Sequence, residues 1–205
     1  KEGVFLVGSG NTYAMFVEMN DHIVAVGGTA GIPEHIKALR EVVKDKPIKY
    51  GVITHHHNDH VLGVPAYQTE GAVVLTVKEH ETVVRAAATD SDSLKVQLVQ
   101  DKYVFDDGDR KLEIIDIGPT PHVKHLMVGW LPEEGILFEA DHFPNPTNGV
   151  MQPAQPVTKS LARAIDKMGL DVKLIVGAHS PRIASMDDLR RTLTMGTTET
   201  AQVSP

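Results

Sequence analysis

Thr54-His55-His56-His57-Asn58-Asp59-His60 lies between two apolar runs, Tyr50-Gly51-Val52-Ile53 and Val61-Leu62-Gly63-Val64. Four of the chain's 11 histidines and one carboxylate occupy the six positions 55–60. Imidazole and carboxylate are ligands that borderline divalent metals such as zinc accept. At the end of a strand, residues two apart point to the same side, so His55 and His57 can converge on one ion. Asp59 and His60 fall where the loop turns into the next element and can face a second ion. The competing reading is a solvated, histidine-rich loop without a metal. The apolar flanks and the spacing weigh against it, and the decision rests on whether other parts of the chain complete the shells.

At 205 residues the chain reads as a single domain, 1–205. A domain of this size buries on the order of 70% of its unfolded surface and needs no staples. With no cysteine, disulfides and thiolate ligands are both excluded. Twenty Lys and Arg against 27 Asp and Glu give a net charge of −7, and no basic run is present, so nucleic acid is not an expected partner. No apolar stretch approaches the ~20 residues of a membrane span, so no membrane association is expected. The chain opens on Lys1 rather than a methionine. Either an N-terminal piece was removed or the numbering begins inside a longer gene product. The compartment therefore stays open between the cytoplasm and, if a signal was removed, the periplasm. Oligomeric state is equally open.

Gly3 to Val7 and Thr12 to Met19 read as strands joined by the turn Gly8-Ser9-Gly10-Asn11, and Ile23 to Val26 as a third. Pro33 opens a helix to about Lys44, with Ile36, Leu39, Val42 and Val43 as its apolar stripe. Tyr50 to Ile53 has too little polar alternation for a half-exposed strand and is placed centrally. A short helix from Val61, a strand from Ala72 to Val77 and a helix from Glu79 to Ala88 follow. Lys102 to Phe105 and Arg110 to Ile117 form a hairpin around Asp106-Asp107-Gly108-Asp109. Leu126 to Leu131 and Ile136 to Glu139 are strands. The segment from Phe143 to Val157, with four prolines and two asparagines, is a long loop of the kind that is usually functional. Ser160 to Met168 and Met186 to Leu193 are helices around the strand Val172 to Val176, and the tail from Gly196 is expected to fray. Strands and helices without regular alternation suggest two sheets packed face to face with helices outside.

Three polar residues follow other apolar strands. His122 ends Gly118-Pro119-Thr120-Pro121-His122, Asp141 follows Ile136-Leu137-Phe138-Glu139-Ala140, and His179 follows Leu174-Ile175-Val176-Gly177-Ala178. Strand C-terminal ends are where open sheets place their chemistry. Each alone could equally cap a turn or fill a partly buried position. Together with His-x-His-x-Asp-His at 55–60 they resemble, in order and over nearly the whole chain, the four metal-binding motifs of the metallo-β-lactamase superfamily. That resemblance implies an α/β chain folded as a four-layer αββα sandwich, with the site at one edge. It also implies a two-metal centre: His55, His57 and His122 on the first ion, Asp59, His60 and His179 on the second, and Asp141 bridging. His125 is a rival to His122, although the distance forward to Trp130-Leu131-Pro132 fits the family better from His122. The sequence departs from the pattern at the last motif, where Gly-Ala-His-Ser stands in place of the commoner Gly-His-Gly.

Two divalent ions, zinc first and manganese or iron as alternatives, can hold a hydroxide between them at neutral pH. The expected activity is a binuclear metallo-hydrolase that attacks an activated carbonyl of a small-molecule substrate: an ester, lactone, thioester or β-lactam. Asp59, as a ligand, would orient the hydroxide, and His142 could donate a proton to the leaving group. By resemblance, an aspartate at 141 points to the glyoxalase II-like thioesterases, lactonases and nucleases rather than to strong β-lactamases, which tend to carry cysteine or serine there. The tyrosine that lactonases place nearby is not evident, and the acidic balance opposes a nuclease. Alternatives are a non-haem iron dioxygenase of the persulfide dioxygenase kind, a phosphodiester hydrolase, or a binding domain that has lost catalysis. His56 is expected to project away from the ions, and His22, His35 and His80 to lie on the surface. The loop 143–157 and the turn 8–11 are candidate walls of the pocket.

Overall fold

The computed structural model describes residues 1–195, so the expected frayed tail lies outside the described residues. Its 12 strands form two six-stranded mixed sheets. The first runs β1 (Val4–Ser9), β2 (Thr12–Glu18), β3 (Ile23–Val26), β4 (Ile48–Val52), β5 (Val73–Val77) and β6 (Val96–Val99), side by side in chain order. The second runs β12 (Ser180–Ser185), β11 (Leu174–Gly177), β10 (Ile136–Glu139), β9 (Met127–Leu131), β8 (Lys111–Asp116) and β7 (Lys102–Asp106). Hairpins give antiparallel pairs. The parallel pairs need crossovers, which helices supply. These are α1 (Ile32–Arg40) between β3 and β4, α2 (Asn58–Val61) and α3 (Val64–Thr69) between β4 and β5, α4 (Glu81–Ala87) between β5 and β6, and α5 (Pro156–Met168) between β10 and β11. The last helix is α6 (Met186–Thr194).

Strand alternation builds three layers of apolar packing. Along β2 and β3, Met15, Val17, Val24 and Val26 face the second sheet, where they meet Leu112, Met127, Phe138 and Val176. Their neighbours Phe16, Ile23 and Ala25 face outward onto Ile36 and Leu39 of α1 and Tyr67 of α3. The outer face of the second sheet, through Val128, Trp130, Leu137 and Ile175, is covered by Leu161 and Ile165 of α5 and Leu189 of α6. Strands buried on both faces read as continuous apolar runs, which is why β4 shows so little polar alternation. The result is the expected αββα sandwich.

Three expectations shift. The helix α1 stops at Arg40, and Val42, expected in its stripe, is exposed. The strands β6 and β12 lie in stretches to which the sequence reading assigned no element: Gln97 and Arg182 interrupt their apolar character, as edge positions allow. The histidines expected at the surface are not there. His35 is buried on the inner face of α1 and His80 in the turn that opens α4, while His22 is largely covered and packs edge-on against Tyr50, ring centroids 5.4 Å apart. A polar residue beside an apolar stripe follows the helix face inward, whatever its own hydropathy.

Candidate metal centre

β4, β8, β10 and β11 all end at one rim of the sandwich, and the loops leaving them carry the candidate ligands. The sheets are stitched together at this rim. The Met127 N–H at the start of β9 donates to the Thr54 carbonyl (2.9 Å), and the Tyr13 N–H of β2 to the Ala178 carbonyl (2.9 Å). The histidine loop is held against the end of β3 by a backbone approach that only glycine permits. A Cβ on Gly28 would lie 2.3 Å from the His60 carbonyl oxygen, and the Gly63 N–H donates to the Gly28 carbonyl at 2.7 Å.

All seven predicted ligands come together, in two groups. The donor atoms of His55, His57, His122 and Asp141 lie within 4.8 Å of one another, and so do those of Asp59, His60 and His179. Asp141 joins the groups. Its Oδ2 is 3.2 Å from His55 Nε2, 3.0 Å from His60 Nε2 and 3.1 Å from His122 Nε2, and its Oδ1 is 3.0 Å from His179 Nε2. Across the groups' own pairs, His55 Nε2 and His122 Nε2 are 3.4 Å apart, and His60 Nε2 and His179 Nε2 3.1 Å. Asp59 stands at the open side, its Oδ2 3.4 Å from His60 Nε2 and 3.7 Å from His179 Nε2.

Tautomers and charge fit cation ligation. His179 Nδ1 faces the Asn11 carbonyl at 3.3 Å, which can only accept, so Nδ1 carries a proton and Nε2 is the nitrogen aimed at the centre. This contact also makes the turn 8–11 a wall of the site. His55 Nδ1 lies 3.3 Å from the Thr54 hydroxyl, again leaving Nε2 inward. Burial lowers the His55 pKa to about 4. His57 is lowered as well, by burial and by its neighbours His122 and His56. Both are therefore neutral, the form that binds metal. Burial would raise the Asp141 carboxyl, but the imidazoles of His179, His55 and His60 together hold it far below the usual carboxylate range. His179, hydrogen-bonded to that carboxylate, is shifted up. Four imidazole nitrogens converging on one carboxylate, the buried and neutral His55 among them, are the donor set that a divalent cation would bind.

Two carboxylates that sequence reasoning did not single out support this shell. Asp141 is the only described non-glycine residue with positive φ (65°), a conformation that costs about 1–2 kcal/mol. Glu139 stabilises that turn: its Oε2 accepts the N–H of His142 (2.8 Å) and of Phe143 (3.3 Å). Glu139 is 3% exposed, and burial pushes its pKa up to about 8. Asp116 does the same for the loop bearing His122, accepting from Gly118 N–H (2.9 Å) and Leu126 N–H (3.2 Å). Both were legible as carboxylates set into apolar strands.

The remaining candidates separate. His125 is drawn away to Asp116 Oδ2 at 2.7 Å, which leaves the third position of the first group to His122. His56 turns outward to His80, Nδ1 to Nε2 3.2 Å. His142 is fully buried, with Nδ1 donating to the Ala140 carbonyl at 2.8 Å and Nε2 without a protein partner. That tautomer makes Nε2 an acceptor, and burial lowers the ring's pKa. Beside the centre, a cavity of about 240 Å3 is lined by Asp141, His179, Phe143, Asn145, Ser180 and Glu139, so the first residues of the loop 143–157 do form a wall.

Solved structures share this architecture at low identity. A metallo-beta-lactamase from Pontibacter korlensis superposes with a TM-score of 0.72 at 19% identity, covering 97% of both chains. The metallo-beta-lactamase FIM-1 from Pseudomonas aeruginosa, in its mono-zinc form, matches at 0.63 and 20%, covering 92% of both. The flavodiiron protein from Giardia intestinalis matches at 0.72 and 17%, covering 94% of this chain and 56% of that one. No curated protein matches in sequence. The family model for the metallo-beta-lactamase superfamily matches residues 7–179, which takes in all four motifs. With its two six-stranded sheets and its histidine–aspartate rim, the chain belongs to the metallo-beta-lactamase superfamily.

Proposed function

We propose that this chain is a two-metal hydrolase of activated carbonyl compounds: small-molecule esters, lactones, thioesters or lactams. The observation that carries this reading is the Asp141 carboxylate. Its two oxygens reach histidines of both groups, Oδ2 to His55, His122 and His60, and Oδ1 to His179. His55, His57 and His122 would hold one ion, and Asp59, His60 and His179 the other, with Asp141 shared. Zinc is the expected metal, because the set is rich in imidazole and lacks the all-oxygen shell that magnesium and calcium prefer. Such a pair of ions supplies an acidified water and Lewis-acid polarisation of a carbonyl oxygen.

The chain's own residues supply the rest. Asp59, the most exposed carboxylate of the set, would orient the attacking water. Burial disfavours the charged form of both His55 and His57, which keeps their lone pairs available to an ion. His142, neutral and with its proton committed to Ala140, suits the role of an acceptor behind His122 better than that of a proton donor to a leaving group. Aspartate at 141 favours thioesters and lactones over β-lactams, by the resemblance noted above.

A panel of chromogenic lactam, lactone, thioester and phosphoester substrates, assayed with zinc or manganese restored, tests the reading. A carbonyl substrate should be turned over and a chelator should abolish the activity. Asp141→Ala should lower bound metal and reduce turnover at least about 100-fold. An Asp141→Ala protein with undiminished metal and rate would sink the proposal. So would one iron per chain accompanied by oxygen consumption.

A further inference from the structure

A cavity of about 390 Å3 adjoins the centre on the side of His57 and His122, and is also lined by His56, Glu79, His80 and His125. None of these last four belongs to the seven-residue centre. His56 Nδ1 and His80 Nε2 stand 3.2 Å apart. That separation falls within the 3.1–3.4 Å between paired imidazole nitrogens of the centre itself. Two nitrogens bound at ~2.0–2.1 Å to one tetrahedral zinc lie about 3.3 Å apart.

His125 offers a third nitrogen. Its Nδ1 meets Asp116 Oδ2 at 2.7 Å, and a carboxylate accepts, so Nδ1 carries the proton and Nε2 a lone pair. An imidazole anchored by a carboxylate on one nitrogen and free on the other is the usual arrangement of a metal-ligating histidine. Asp116 is itself fixed by the Gly118 and Leu126 N–H groups, so the ring's anchor is rigid. The free Nε2 lies 3.8 Å from Glu79 Oε2, and the His125 ring is 6.1 Å from that of His80. Glu79, its side chain 55% exposed, has room to turn inward.

We propose that His56, His80, His125 and Glu79 form a further site for a borderline transition-metal cation, separate from the seven-residue centre. Three imidazoles and one carboxylate suit zinc, cobalt or nickel and disfavour magnesium and calcium. The donors are less tightly gathered than in the two groups of the centre, so the ion binds more weakly than the centre's own metal. The site rests on its own geometry and does not depend on what the centre hydrolyses.

Calorimetric titration of zinc into the metal-free full chain tests this, with a parallel cobalt titration followed by visible absorption. The wild-type chain takes up a weaker equivalent after the centre has filled. His56→Gln and His125→Gln each weaken that equivalent at least tenfold, while the tighter uptake is retained. His80 is buried, so these two more exposed positions are the variants of choice. The absence of any weaker equivalent in the wild-type chain overturns the proposal. So does its survival in both variants, which would assign it to another surface. Because only the weaker equivalent is compared, the outcome is independent of how many ions the centre holds.

Discussion

Asp141 reaches four imidazoles because its backbone sits at φ 65°, and Glu139 holds it there through two backbone N–H groups. Removing an acceptor from buried donors costs roughly 1–3 kcal/mol for each group left unpaired. Glu139→Leu should therefore lose about 2–6 kcal/mol of stability in the metal-free chain. Glu139→Gln, which keeps a carbonyl oxygen at the same place, should lose about 1 kcal/mol or less. Urea unfolding of the two variants checks this, and equal losses would refute the role given to the carboxyl group. At this scale the seven candidate ligands were legible from the histidine spacing at 55–60 together with the family resemblance of the four motifs. Glu139 and Asp116 were not singled out, because what they do depends on backbone N–H groups that the fold brings to them.

At the scale of elements, α1 turns His35 into the layer beneath the first sheet together with Ile32, Ile36 and Leu39. Burial lowers the His35 pKa from 6.5. The unfolded chain then takes up a proton near pH 6.5 that the native chain accepts only at lower pH. Its contribution to stability is present above the unfolded pKa and is lost as pH falls through the folded one. His35→Gln should flatten the acid side of the stability curve, so that its thermal midpoint drops less than the wild type's between about pH 7 and pH 5. Parallel curves would show that His35 does not titrate on unfolding. Long apolar runs such as β4 and β10 were readable along the chain. The edge strands β6 and β12 were not, since their hydrogen bonds come from β5 and β11, distant in sequence or hidden by a short connection.

Across the whole molecule, the candidate centre lies where the two sheets meet, with His55, His57, Asp59 and His60 following the first sheet and His122, Asp141 and His179 the second. An ion bound there ties the two halves of the sandwich together and stabilises only the folded chain. Zinc held at about 100 times its Kd should add about 2.7 kcal/mol. For a domain of this size that corresponds to a rise in Tm of about 5–10 °C, reversed by a chelator. Scanning calorimetry of the metal-free and zinc-loaded chain reads this directly. An unchanged Tm would mean that no metal bridges the rim.

Residue chemistry and spacing along the chain were enough to determine the candidate ligand types, their placing at strand ends and two packed sheets with helices outside, because alternation, turn residues and histidine spacing are local properties; the four-layer αββα order came with the family resemblance. Only the tertiary structure decided which imidazoles converge. It gave the third position of the first group to His122, sent His125 to Asp116, turned His56 toward His80 and buried His35 and His80. Those outcomes depend on contacts between residues far apart in sequence. Whether a histidine faces metal, carboxylate, another imidazole or solvent is set by the element packed against it, and no local pattern encodes that partner.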